Sequence, residues 1–242
     1  MNVEYIYYKG QNMDVLYKKP SELTNKIRHA MFELMSTYYD NLTIDQFELD
    51  LENKEDVIIM VENSLIRGFT TIEHIRLDIE GESILGIFSG NTIMDLSIPP
   101  SLRLQQGFIR YIEKLKKSIK IPVYWFLICK GYKTYRYLNV YCKSYYPSYK
   151  EETPVFEKRI MDAYAIKKYP NHYNPLTGII KHDDGMDYLK EDVAPVTDRI
   201  LRKPEVAFFV EKNPQHVQGD ELVCLASFSD ENLKSGYFRA LR

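Results

Sequence analysis

Between residues 83 and 129 the chain alternates in a way that leaves few folds open. Residues 83–88 read as a strand. Leu104, Phe108, Tyr111, Ile112, Leu115 and Ile119 recur at helical spacing, and residues 123–129 (VYWFLIC) are apolar throughout. A strand with no polar side is covered on both faces. Two strands joined through a helix lie parallel, and the crossover is right-handed because that hand alone packs the helix back onto the twisted sheet. In sheets of this kind ligands bind beyond the carboxyl ends of the parallel strands. Those ends are residues 89–95, with Asn91, Thr92 and Asp95, and residues 129–136, with Lys130, Lys133 and Arg136.

The rest of the chain supplies partners for that unit. Residues 3–8 read as a strand. Pro20-Ser21 opens a helix whose apolar face holds Leu23, Ile27, Ala30, Met31, Leu34 and Tyr38. Thr43 to Gln46 matches a capping box and starts a shorter helix with Ile44, Phe47 and Leu51 inward. Residues 57–61 (VIIMV) are a doubly covered strand. Residues 66–79 are a long strand whose second half alternates, and Glu80-Gly81-Glu82 is a hairpin turn. Pro99-Pro100-Ser101 begins the long amphipathic helix. Residues 133–146 read as another, with Thr134, Leu138, Tyr141 and Tyr145 on one face and Pro147 as its stop.

Within 148–204, Thr153-Pro154 starts a further helix. Asn174-Pro175, Asp183-Asp184-Gly185 and Ala194-Pro195 then punctuate an irregular stretch. Residues 206–210 and 222–226 read as two final strands. The expectation is one α/β domain over 1–242, with a mixed, mainly antiparallel central sheet, one parallel strand pair and helices on both faces. Its core is 1–147 and 205–242, and 148–204 is an insertion that could wall a pocket.

Composition removes several classes of function. A formal net charge of −2 over 242 residues offers no global attraction to nucleic acid. The three cysteines, Cys129, Cys142 and Cys224, are odd in number and far apart, which fits a reducing cytoplasm better than a disulfide framework or zinc site. The five histidines, His29, His74, His172, His182 and His216, show no ligand spacing, so no metal site is expected. The N-terminal segment MNVEYIYYKG lacks the pattern of a signal peptide. No apolar run approaches the roughly 20 residues that span a bilayer.

Lys130, Lys133 and Arg136 close a buried strand and open a helix. Cations there oppose the helix dipole, so they point to an anion: a phosphate or carboxylate held by a bidentate Arg and two Lys point charges. A solvated first turn is the alternative. Arg103 and Gln105 stand before the amphipathic helix and are further candidates. Cys129, beside the cations, would need a histidine base from elsewhere to act as a nucleophile. As a small buried apolar residue it needs nothing.

The element order resembles that of the GNAT superfamily of N-acyltransferases, and three segments carry the likeness. VIIMVENSLIRGFTTI, residues 57–72, resembles that family's second and third strands, with Gly68 opening the third. LSIPPSLRLQQGF, residues 96–108, resembles its pyrophosphate loop, V-x-P-x-x-[RQ]-x-x-G-x-[GA]. Ile98, Pro100 and Arg103 match; the first glycine is displaced by one to Gly107, and Phe108 stands at the second. VYCKSYY, residues 140–146, resembles the L-Y-x-K-x-G-F close of the last core helix. The likeness covers roughly 21–147 and the final two strands.

The resemblance implies an acyltransferase that moves an acyl group from a thioester, acyl-CoA or acyl-carrier protein, to a small-molecule amine by direct attack. It implies no tightly bound cofactor. Tyr141 would protonate the departing thiolate. Arg103, Gln105, Lys130, Lys133, Arg136, Asn91 and Thr92 would hold the donor, and Asp95 or Glu73 would take the amine's proton. Gln106 and Phe108 put side chains where the family's loop has glycine. That departure fits a carrier-protein donor, as in the long-chain N-acyl amino acid and acyl-homoserine lactone synthases. It also fits a non-catalytic binding or regulatory module on the same fold.

Overall fold

The structure, a computed structural model, describes residues 13–99, 101–181 and 186–242. The expected strand at 3–8, Pro100, His182 and the turn at 183–185 lie outside the described residues. In chain order the elements are β1 (Met13–Lys18), α1 (Asn25–Tyr38), β2 (Tyr39–Asp40), α2 (Ile44–Glu52), β3 (Asp56–Glu62), β4 (Leu65–Ile79) and β5 (Glu82–Met94). There follow α3 (Arg103–Ser118), β6 (Val123–Cys129), α4 (Tyr132–Tyr141), α5 (Val155–Lys168), β7 (Tyr173–Asn174), β8 (Ile179–Ile180) and β9 (Tyr188–Leu189). The chain closes with α6 (Asp198–Leu201), α7 (Pro204–Lys212), β10 (Glu221–Ser227) and α8 (Ser235–Leu241).

The main sheet runs β1-β3-β4-β5-β6-β10-β8-β7. Its neighbours are antiparallel except for β5 and β6, which are parallel. The doubly apolar strands earn their composition by facing two cores at a period of two. Ile58 and Met60 of β3 pack under α3, while Val57 and Ile59 face Met31 and Met35 of α1 and Phe47 and Leu51 of α2. In β6, Trp125 and Leu127 lie under α3 and α4, and Phe126 stacks on Tyr164 of α5 with ring centroids 4.1 Å apart. Each fully buried side chain of this size contributes about 1.5–3 kcal/mol. The parallel pair also needs a glycine: a Cβ on Gly86 would lie 2.0 Å from the Phe126 ring.

Two expectations are corrected. Residues 206–210 are not a strand but part of α7. Pro204 takes an early helix position, and Val206 and Phe209, three apart, are its buried apolar residues. A short apolar run fits either period, and here helix-start chemistry and packing decide. The helix expected to reach Tyr146 ends at Tyr141. Beyond it Cys142 and Tyr146 bridge Leu233 and Leu225, and Lys143 donates its N–H to Asn232. α5 starts after Pro154 as expected, and β7 and β8 lengthen the main sheet by pairing onto β10. No described helix is long and apolar enough to cross a membrane.

Candidate active site

The parallel pair makes a gap. β5 and β6 are in register only from Leu85 opposite Val123 to Phe88 opposite Phe126. Beyond that point β5 runs on to Met94 and β6 to Cys129 without pairing to each other. β5 carries an extra residue there. Phe69 faces Ile93 while Thr71 faces Gly90, and Asn91 takes a left-handed φ of 41°. Such a bulge bends a strand and re-aims its side chains.

A cleft of about 40 Å³ opens in this gap on the α3 and α4 side of the sheet. Its walls are Leu104, Phe108, Trp125 and Leu127. Its polar groups come from Thr70, Ser89, Thr92, Gln105, Thr134, Tyr137 and Tyr141. The Trp125 indole N–H donates to Ser89 Oγ (2.8 Å), and Phe108 and Phe228 back the indole at 5.2 and 5.5 Å. Thr70 and Thr92 hydroxyls meet at 2.7 Å. Gln105 bridges cleft and loop: with its amide oriented to satisfy both ends, the oxygen accepts from the Tyr137 hydroxyl (2.8 Å) and the nitrogen donates to Ser101 and Leu102 carbonyls.

Tyr141 is the last residue of α4. Its ring lies parallel to Tyr137 at 6.2 Å and edge-on to Tyr237 at 6.4 Å. Among the described residues its hydroxyl takes no hydrogen-bond partner. Burial, with the neighbouring Tyr137 hydroxyl, pushes it up to about 12. Tyr141 lies at the edge of the cleft.

Of the residues expected to form a site, the cleft gathers Tyr141, Gln105 and Thr92. The three cations at the end of β6 and the start of α4 are turned elsewhere. Lys130 pairs with Asp187 (2.5 Å), Lys133 donates to the Val193 carbonyl (2.6 Å), and Arg136 pairs with Glu205 (3.1 Å). Burial draws the Lys130 ammonium down, but Glu221 and Asp187 outweigh it and the net shift is upward. For Lys130 and Arg136 the anion is thus supplied by the chain itself, while Lys133 meets a neutral backbone carbonyl. Arg103 lines a separate recess with Met13, Val15, Tyr17 and Arg110.

The two carboxylates are also set apart from the cleft. Glu73 sits opposite Phe88 on the other face of the sheet, between Lys54 (3.3 Å) and Lys168 (2.5 Å). Lys54 also holds Asp50, which accepts from Asn91 (2.6 Å). Burial and the nearby Lys54 charge lower the Lys168 ammonium. Asp95 accepts from Arg67 (2.8 Å), from Tyr38 (3.1 Å) and from both the N–H and the hydroxyl of Ser97. Burial alone would raise it; those hydrogen bonds prevail and hold it below its ordinary 3.8. Cys129 is fully buried. Among the described residues no cluster of His, Cys, Asp and Glu could hold a metal.

Thr70, Ser89, Trp125 and Tyr137 were not singled out by sequence. Trp125 sits in an unbroken apolar run and looks like core. Only the point where β5 and β6 part, which no local pattern encodes, turns it into a cleft wall.

Comparison with solved structures finds likeness to N-acyltransferases. One is a conserved protein of unknown function from Enterococcus faecalis V583, described as a probable N-acyltransferase (13% identity, TM-score 0.41), and the match covers 55% of this chain and 33% of that one. The chain thus spans about a third of that protein's length. Another is a GNAT family N-acetyltransferase from Escherichia coli in complex with CoA (9% identity, 54% of this chain and 68% of that one, TM-score 0.38). A third is an aminoglycoside acetyltransferase from an uncultured soil metagenomic sample in complex with sisomicin (11%, 60% and 93%, TM-score 0.38). No protein-family model matches the sequence, and no curated protein does.

Proposed function

We propose that the chain is an N-acyltransferase of the GNAT kind, which moves an acyl group from a thioester to an amine in the cleft between β5 and β6. The observation that supports this best is the unpartnered Tyr141 hydroxyl facing a cleft opened by two parallel strands that part. Leu104, Phe108, Trp125 and Leu127 offer an apolar bed for an acyl chain. Beyond Phe88 the β5 edge has lost its strand partner, so its backbone groups stand ready to pair with an extended ligand or polarise a carbonyl.

The amine nitrogen attacks the thioester carbon. An N–C bond forms, the C–S bond breaks, and the leaving sulfur takes the Tyr141 proton. Pushed up to about 12, the hydroxyl stays protonated at neutral pH, and its proton passes to sulfur in concert with C–S cleavage, because a free thiolate, of pKa about 8.5, is the weaker base. The amine's own proton leaves to water at the open mouth, since no carboxylate lines the cleft. Tyr141 then regains a proton from solvent.

The second reading, a binding or regulatory module, is favoured by one observation: Asp95 and Glu73 are both locked in ion pairs. Tyr141→Phe separates the two. With acyl-CoA and acyl-carrier-protein panels and thiol release as the readout, turnover falls by roughly 10²–10³-fold while donor binding is kept. Unchanged turnover in the variant sinks the assignment of Tyr141. Donor binding with no turnover in the native chain establishes the module instead.

A further inference from the structure

With no hydrogen bond to guide its hydroxyl, Tyr141 is placed in the cleft by its backbone and by the rings around it. That backbone is the end of α4, and the last four carbonyls of a helix find no partner within it. Three of the four are taken here. Cys142 donates its N–H to the Leu138 carbonyl (2.8 Å). Lys234, at the N-cap of α8, serves two: its Nζ donates to the Asn139 carbonyl (2.5 Å) and its backbone N–H to the Tyr141 carbonyl (2.9 Å). The fourth, on Val140, lies so close to α8 that a Cβ on Gly236 would stand 3.2 Å from its oxygen. Burial, then Lys150, draws the Lys234 ammonium below its ordinary 10.5, and charged or neutral it keeps an N–H for the carbonyl.

The segment before α8 is in register with the end of α4 before Lys234 is reached. Ser144 donates its N–H to Asn232 Oδ1 (2.8 Å), and Asn232 Nδ2 donates to the Ser144 carbonyl (2.9 Å). α8 then ties that end to α3. Tyr237 is fully buried, its ring edge-on to Tyr141 at 6.4 Å, and its hydroxyl donates to Glu113 of α3 (2.9 Å). The same ring lies 6.3 Å from Phe228, which stacks on Trp125. α3 gives the cleft Gln105 and Phe108, and α4 gives it Tyr137 and Tyr141. One short helix beyond the last strand thus joins both walls of the cleft.

We propose that Lys234, with the helix it opens, is a positioning residue for Tyr141: it holds the last turn of α4 so that the Tyr141 hydroxyl meets the leaving sulfur. Lys234 itself does not line the cleft. The inference rests on the acid role given to Tyr141 and adds to it. A proton donor with no hydrogen bond of its own depends on its backbone for aim, and a misplacement of about 1 Å costs about 10²-fold in rate.

Lys234→Met removes the donation to Asn139 and keeps the backbone N–H; Lys234→Arg keeps a side-chain donor as well. Thiol release by the intact protein is followed with the acyl-CoA and acyl-carrier-protein panels. The Met variant loses about tenfold or more in kcat while its donor KM stays within about twofold, and the Arg variant remains within about threefold of the native chain. If kcat and KM worsen together, or if Arg is as impaired as Met, Lys234 serves the fold alone and the inference is overturned. A native kcat in the Met variant beside an impaired Tyr141→Phe also overturns it, and leaves the reading of Tyr141 standing. Native turnover in Tyr141→Phe, or no turnover in the native chain, removes that reading and the inference with it. If the Met variant does not fold, Tyr237→Phe, which cuts only the tie to Glu113, is judged by the same split of kcat and KM.

Discussion

His74 shows how a single side chain on β4 ties the sheet to α3. Its backbone N–H donates to Glu55 (2.6 Å), and its Nε2 lies 2.8 Å from the Tyr111 hydroxyl, which donates to Asp56 (2.7 Å). The Tyr111 proton is spent on Asp56, so Nε2–H is the donor to Tyr111, and a neutral ring suffices. Burial lowers the imidazole below its ordinary 6.5; Glu55 and Asp56 pull it up and Lys19 and Arg76 push it down, each by less. The unfolded chain therefore binds more protons between the folded value and 6.5, and stability rises with pH through that window. Above 6.5 the penalty is absent; below the folded value it is complete. Urea midpoints at about pH 5.5 and about pH 7.5 should show the acid-side loss in the native protein and a smaller one in His74→Gln. An identical loss in both would mean that other groups carry it.

At this scale the sequence was informative about residue type and silent about direction. Tyr141 lies on a helix that local periodicity marks, whereas Thr92 and Gln105 read as lying just outside elements that in fact run to Met94 and begin at Arg103. Glu73 and Asp95 read as bases because their partners Lys54, Lys168, Arg67 and Tyr38 are distant in the chain. A carboxylate's role depends on its neighbours, and those are set by the fold.

Among elements, the parallel pair decides the most. Gly86 lies beside Phe126, which stacks on Tyr164, and the Tyr164 hydroxyl donates toward the Leu127 carbonyl at 2.7 Å while accepting the Cys224 N–H at 3.2 Å. A methyl at residue 86 must displace a ring fixed by a stack and two hydrogen bonds. Gly86→Ala therefore destabilises by about 1–3 kcal/mol, the usual cost of overpacking. It also widens the start of the gap, so donor affinity falls with stability. A denaturation midpoint equal to the native one would show that the ring gives way freely. The need for this glycine is not legible in the sequence, because the residue it admits lies on a strand 40 positions later, counting from 86 to 126. The apolar runs of β3 and β6 were legible, since double burial leaves a continuous signal. α7 was not, because five apolar residues satisfy both periods until Pro204 and the Tyr135 ring, 5.6 Å from Phe209, choose one.

Across the whole molecule, residues 148–204 read as an insertion by sequence and are tied into the core by contact. α5 covers Ile75, Ile84, Phe88, Phe126, Val223 and Leu225 with Ile160, Met161, Tyr164 and Ala165. β8 pairs onto β10 through Glu221 and Leu222, and Asp187 supplies the counter-charge to buried Lys130. A chain in which 148–204 are replaced by a short linker exposes that half of the sheet, at about 1.5–3 kcal/mol per large side chain. It also strands Lys130 without its carboxylate, and breaking a buried pair by removing one partner costs about 3–5 kcal/mol. The sum exceeds the roughly 5–15 kcal/mol by which a domain is stable. Thermal melts followed by circular dichroism should show no cooperative transition for the shortened chain. A cooperative melt near that of the intact protein would mean that the sheet stands without its cover, and that the stretch is an insertion in energy as well as in position.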